Sequence, residues 1–198
     1  GGDEFFAGQL AENGDVYIND AFGTAHRAHA STAVIAKFFP EDKAFGTLLA
    51  GEIDALDKVL ANPDKPLTAI IGGAKVSSKL GIIEHLIGRV DRLIVGGGMA
   101  YTFVQAQGGS IGKSLVEPEM HAQALAILEK AQSSGTELLL PTDTLCADAF
   151  APDANTQVVP TDAIPADWMG LHIGPETTAR FVDAVLTSKR VLWNGPMG

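Results

Sequence analysis

Two lysines, Lys75 and Lys79, stand four residues apart directly after Gly72-Gly73, in the stretch AIIGGAKVSSKLGIIEHL that spans residues 69–86. A glycine turn that feeds a helix start is a place where backbone N–H groups and cationic side chains can meet an anion. Neither G-x-x-x-x-G-K-[ST] nor G-x-G-x-x-G is present here, so the chemistry must be argued from residue types. With a helix over residues 75–88, the spacing puts both ammoniums on one face of its first turns. A helix N-terminus carries partial positive charge, so two lysines there are unfavourable until an anion offsets them. A phosphate ester would do so, because N–H groups donate to its oxygens and ammoniums supply point charges. Phosphoryl transfer relies on such placed cations. The plainer reading of the same spacing is two solvated surface lysines after an ordinary strand–helix turn.

Other stretches carry weaker signals. In LHIGPETTARF, Pro175 suits the first helical position, Glu176 the first turn and Gly174 a tight entry, which is either a second anion site or plain helix capping. The triplet Gly96–Gly98 permits close backbone approach by a ligand or simply close helix–sheet packing. In NDAFGTAHRAHAS, His26 and His29 are three apart and would share a helix face, but no matching ligand set accompanies them and a metal site is not expected. Arg27 between them suits a carboxylate or phosphate through its bidentate fork. The single cysteine, Cys146, excludes a disulfide framework and reads as a small core residue.

The elements that must position these groups alternate. GDVYIND (14–20) reads as a β-rich run, and STAVIAKFF as a second apolar segment ended by Pro40. Residues 47–62 place Leu48, Leu49, Ile53, Leu56, Val59 and Leu60 at helical spacing. After the PDKP boundary come strand 67–71, helix 75–88, strand 92–95, helix 99–107, helix 118–133 and strand 137–141. Irregular Pro- and Asp-rich sequence follows, then a helix from Pro175 and strand 190–194. Such alternation implies an α/β fold with a parallel sheet covered by helices. Right-handed crossovers then gather Gly72-Gly73, Gly96–Gly98 and Asn194-Gly195 on the rim where open α/β sheets bind ligands.

Composition narrows the partners. The 198 residues carry 24 acidic and 14 basic side chains, a net charge of −10 with no Lys/Arg cluster, which argues against nucleic acid. No stretch approaches the roughly 20 apolar residues of a membrane span and no signal peptide is visible, so a cytoplasmic setting is expected. The opening GGDEFF and the stop at VLWNGPMG, just after an apolar strand, suggest a fragment.

The motifs GDVYINDAFGTAHRAHAST, GGAKVSSK, LIVGGGMAYTF, GKSLVE, LPTD, MGLHIGPET and VLWNGPMG, in this order, resemble phosphoglycerate kinase from about residue 14 to the end. The resemblance implies the family's two-domain fold of Rossmann-like, three-layer parallel sheets, here incomplete at both ends. On that basis residues 1–46 are the end of the 3-phosphoglycerate-binding domain, 47–65 the interdomain helix and linker, and 66–198 the first part of the nucleotide-binding domain. It implies reversible phosphoryl transfer between 1,3-bisphosphoglycerate and ADP, giving 3-phosphoglycerate and ATP, by a monomer that uses Mg2+ nucleotides.

By the same resemblance Lys79 holds nucleotide phosphates, Lys75 meets the phosphoryl group in transfer, and Ala74, Gly97 and Gly98 lie along the nucleotide. Gly170 and Leu171 would line the adenine pocket, and Asn194 and Pro196 would sit beside the nucleotide. Arg27 would grip the substrate phosphate, with His26 nearby. The family's magnesium-binding Asp and most of its substrate-binding residues fall outside these residues. The isolated chain is therefore expected to be inactive and, with a parallel sheet missing strands, poorly soluble or molten. The alternatives are a non-catalytic nucleotide-binding remnant and a dinucleotide-dependent oxidoreductase, the latter disfavoured by the absent glycine fingerprint.

Overall fold

The computed structural model describes residues 1–61 and 64–198. They form two compact units, Gly1–Asn62 and Pro63–Gly198.

The first unit opens with helix α1 (Glu4–Ala11), whose N-cap Asp3 accepts from the Phe6 N–H. Strands β1 (Tyr17–Asn19) and β2 (Lys43–Phe45) pair in parallel. Ala7, Ala30, Ile35 and Phe39 form a small core, with Tyr17 stacked on Phe39 at 6.0 Å between ring centroids. The apolar segment 31–39 contributes a 3-10 helix, Val34–Phe38. Helix α2 (Thr47–Ala61) starts as expected, and Asp20 caps it by accepting from the Leu49 N–H at 2.8 Å. The parts of the helix expectation that rest on Val59, Leu60 and Asn62 lie outside the described side chains and residues.

The second unit is built on a four-stranded parallel sheet. Its strands are β3 (Leu67–Ile71), β4 (Arg92–Val95), β6 (Glu137–Leu139) and β11 (Arg190–Asn194), in the order β11-β3-β4-β6. Every residue of β3 is buried, as an apolar run covered on both faces requires. Helices α3 (Leu80–Leu86), α4 (Met99–Ala106), α5 (His121–Ser134) and α6 (Pro175–Leu186) make the crossovers. Leu67, Ile71, Leu93, Ile94, Met99 and Phe103 form the centre of the core. Strand β11 pairs with β3 on one side, and its Val191 and Trp193 are 40% and 65% exposed.

Two expectations need correction. Helix α3 begins at Leu80, not at residue 75, because residues 75–79 are held in a turn by local hydrogen bonds. Residues 143–173 are not irregular. They contain β7 (Asp143–Ala147), β8 (Thr156–Pro160) and β10 (Met169–Ile173), an antiparallel sheet of order β10-β7-β8. The short strands β5 (Ser110–Ile111) and β9 (Ala163–Ile164) pair beside it. The alternation rule missed this sheet because β7 is buried at nearly every position and β8 is exposed at nearly every position. Cys146 is fully buried in the cluster of Tyr101, Val104, Ile111 and Ile164.

Candidate functional site

The C-terminal ends of β3, β4 and β11 meet on one rim. The Gly72 N–H donates to the Asn194 carbonyl at 2.9 Å, and Gly96 N–H to the Ile71 carbonyl at 3.0 Å. Met99 N–H donates to the Gly73 carbonyl at 2.9 Å, and Gly97 N–H to the Met197 carbonyl at 3.1 Å. The turn Asn194–Met197 therefore folds back over both glycine clusters, with the Pro196 backbone against Gly72 and Gly97. Gly97 has φ +68, and a Cβ there would lie 2.7 Å from the Gly73 carbonyl oxygen and 2.8 Å from the Gly73 nitrogen. Its lack of a side chain is used first to interlock the two loops. Gly98 begins α4. Among the described residues none accepts from the N–H of Ala74 or of Gly98.

The lysines occupy this rim but do not share a helix face. Lys75 lies in the turn before α3 and is exposed; Lys79 is the N-cap residue. The turn wins over helix because short polar side chains hydrogen-bond its backbone. The Ser78 hydroxyl donates to the Lys75 carbonyl at 2.8 Å, and the Lys79 N–H to the Val76 carbonyl at 2.9 Å. The Lys79 ammonium reaches across to donate to the Asn194 side-chain carbonyl. Thus the charge conflict inferred from sequence is eased without a ligand, by an uncharged acceptor that an anion can replace.

Behind the turn lies Glu117, 8% exposed, which the sequence reading left unassigned. Its carboxylate accepts from the Ser77 N–H at 3.0 Å and from the Ser77 hydroxyl, while its own N–H donates to the Thr102 hydroxyl of α4 at 3.1 Å. Burial pushes its carboxyl up, but the Ser77 hydroxyl, the Ser77 and Val76 N–H groups and the nearby Lys75 charge together hold it below the ordinary carboxylate value.

The second helix start is not open to an outside anion. The Asp143 carboxylate already takes the Glu176 N–H at 3.0 Å, the Thr177 N–H at 2.7 Å and the Thr177 hydroxyl at 2.6 Å. Burial raises the Asp143 carboxyl, and these bonds from Thr177 and Glu176 outweigh it and hold it low. Gly174 is required because a Cβ there would strike this carboxylate. The plain capping reading of Gly174-Pro175-Glu176 holds.

Gly170 and Leu171 sit on β10. A register shift between Gly170 and His172 leaves Leu171 as the extra residue, and such a bulge re-aims a side chain. Gly170 N–H donates to the Ser114 hydroxyl at 2.8 Å, and a Cβ at Gly170 would collide with the Tyr101 hydroxyl. Burial pushes the Tyr101 phenol up to about 12, so it stays neutral.

His26 and Arg27 belong to the first unit. Both are exposed, and the Arg27 Nε–H donates to His26 Nε2 at 3.2 Å. Residues 26–29 are not helical, so the helix face that His26 and His29 were expected to share does not form. Among the described residues no group of three His, Cys, Asp or Glu side chains is placed to hold a metal. Glu117 and Asp143 were missed because their partners lie 40 and 34 residues away and no local pattern marks the pairs.

The chain matches the family described as phosphoglycerate kinase over residues 2–198. It is 55% identical over 196 residues to phosphoglycerate kinase 3, cytosolic, of Arabidopsis thaliana, covering 99% of this chain and 49% of that protein. It is 52% identical to phosphoglycerate kinase of Roseiflexus castenholzii, with the same two coverages. A solved phosphoglycerate kinase from Coxiella burnetii superposes with a TM-score of 0.83 at 43% identity, covering 100% of this chain and 50% of that one. The chain spans about half the length of the relatives it matches. No helix among the described residues is long and apolar enough to cross a membrane. Sequence, family match and fold agree: the chain belongs to the phosphoglycerate kinase family.

Proposed function

We propose that this chain carries the nucleotide-phosphate half of a phosphoglycerate kinase, which moves a phosphoryl group between 1,3-bisphosphoglycerate and ADP. The observation that carries this reading is the glycine-lined rim with Lys79 parked on Asn194 and with the Ala74 and Gly98 N–H groups left without an acceptor. A phosphate chain fits that arrangement, because its oxygens satisfy both donors and draw Lys79 from a neutral amide to a charged partner.

In the forward direction a β-phosphate oxygen of ADP forms a bond to the phosphorus of the acyl phosphate. The phosphorus–oxygen bond to the carboxyl group breaks, and 3-phosphoglycerate leaves as its carboxylate. No covalent enzyme intermediate is needed. Lys75, exposed on its turn, supplies positive charge where the moving group spreads negative charge over its oxygens. Lys79 and the Ala74 and Gly98 N–H groups hold the nucleotide phosphates, while Gly170, Leu171, Asn194 and Pro196 border the rest of the nucleotide. Mg2+ neutralises phosphate charge when bound with the nucleotide, and the described residues offer it no ligand cluster. Arg27, with His26 beside it, is assigned to the phosphate of 3-phosphoglycerate. A cytosolic setting follows the cytosolic relatives of Arabidopsis thaliana and Triticum aestivum.

The test is an ADP titration of the chain by calorimetry, with and without Mg2+, beside Lys79→Ala. Loss of one charge-assisted phosphate contact is expected to weaken ADP binding by about tenfold or more. In the whole protein, Lys75→Ala is expected to lower kcat by on the order of a hundredfold, as for removal of one transition-state donor. Unchanged ADP affinity in Lys79→Ala would remove the phosphate assignment.

A further inference from the structure

We propose that Glu117 is a positioning residue for the lysine turn: its buried carboxylate clamps Ser77 and thereby sets where Lys75 and Lys79 present their ammoniums to a phosphate chain. This deepens the phosphate reading above and rests on it.

The turn has no helix to hold it. Lys75 precedes α3, and the Val76 side chain is fully buried, so the backbone is anchored at one apolar point and must be oriented by polar contacts. Glu117 supplies two of these on one residue, taking both the Ser77 N–H and the Ser77 hydroxyl. The clamp is itself tied down, since the Glu117 N–H donates to the Thr102 hydroxyl, which is 1% exposed on α4. Helix α4 begins at Met99, beside Gly97 and Gly98. One residue thus connects the lysine turn, through its carboxylate, to the helix that carries the other glycine loop of the rim, through its backbone N–H. A fixed turn binds phosphate more tightly than a mobile one, because less order must be imposed at binding. The buried carboxylate also attracts the nearby Lys75 charge before ligand arrives.

A merely structural carboxylate and a positioning one differ in what they affect. ADP uses the lysines and adenosine does not. Titrations of the chain with ADP and with adenosine should therefore separate in Glu117→Gln: ADP about tenfold weaker, adenosine unchanged, and Glu117→Asp intermediate. Amide exchange without ligand should show lost protection at the Ser77 and Lys79 amides in Glu117→Gln, and at Lys79 in Ser77→Ala. Equal weakening of ADP and adenosine, or intact ADP affinity, would overturn the proposal. Should the parent chain bind no ADP, the phosphate reading fails by itself, and the exchange data decide the clamp: retained protection in Glu117→Gln overturns it, lost protection upholds it.

Discussion

Replacing Asp143 by Ala tests how much of the second unit hangs on one buried carboxylate. The side chain, 8% exposed, accepts three hydrogen bonds from the first turn of α6. Glu176 is exposed, so water can take over its N–H. Thr177 is fully buried, and its N–H loses its acceptor, while its hydroxyl can still donate to the Asp143 backbone carbonyl and accept from the Thr142 and Asp143 N–H groups. An unsatisfied buried donor costs about 1–3 kcal/mol, and loss of a helix cap about 1 kcal/mol. The expected loss is therefore about 3 kcal/mol, or about 6–12 °C in Tm for a unit of this size. Circular dichroism melting of the parent chain, Asp143→Ala and Asp143→Asn measures it, with the Asn variant falling between. A second reading comes from Gly174, where a Cβ would strike the carboxylate. Gly174→Ala should be damaging alone and much milder in the Asp143→Ala background, a coupling that a double-mutant cycle reads directly. An Asp143→Ala melt indistinguishable from the parent, with additive double-mutant energies, would refute the capping argument.

Two further outcomes follow from the same geometry. Gly97→Ala is expected to cost about 2 kcal/mol or more, because φ +68 is unfavourable for a side chain and its Cβ would press on the Gly73 backbone at 2.7 Å. Gly108→Ala, at φ +94 with nothing within 4 Å, should cost only the conformational part, and denaturant unfolding of the pair separates strain from collision. Asp91, Glu117 and Asp143 are all held below their ordinary values, Asp91 chiefly by the Leu67 N–H. Their contribution is full above the unfolded values of 3.8 and 4.5 and is lost as pH falls through the lower folded ones, so Tm should be level near neutrality and drop in acid. Asp143→Asn should shallow that drop, and an unchanged acid limb would contradict the assignment.

What the sequence made legible was the periodic part. Strands 67–71, 92–95 and 190–194 appear at the expected residues, because parallel strands are short apolar runs closed here by glycine or asparagine, the first two of them buried. The rim followed from topology alone. The antiparallel sheet did not, since β7, β8 and β10 show no two-residue alternation and their pairing is fixed by contacts distant in sequence. The lysine pair was rightly singled out for its place after the glycines and wrongly placed on a helix. Helical spacing extended one turn too far, where Ser77 and Ser78 instead bond to Glu117 and to the Lys75 carbonyl. The partners of Lys79, Ser77 and Thr177 lie 34 to 115 residues away, a distance at which composition and periodicity carry no information.

Trp193 gives the rim a built-in optical sensor. Its indole N–H donates to the Gly195 carbonyl at 2.8 Å, inside the turn that also carries the Asn194 amide held by Lys79. The chain has only two tryptophans, and the other, Trp168, packs against the cluster around Cys146. A collisional quencher in solution reaches the 65% exposed indole far more readily than the packed one. The emission that such a quencher removes is therefore chiefly the emission of the turn, and a ligand that draws Lys79 off Asn194 is expected to change it, as quenching with and without ADP would measure.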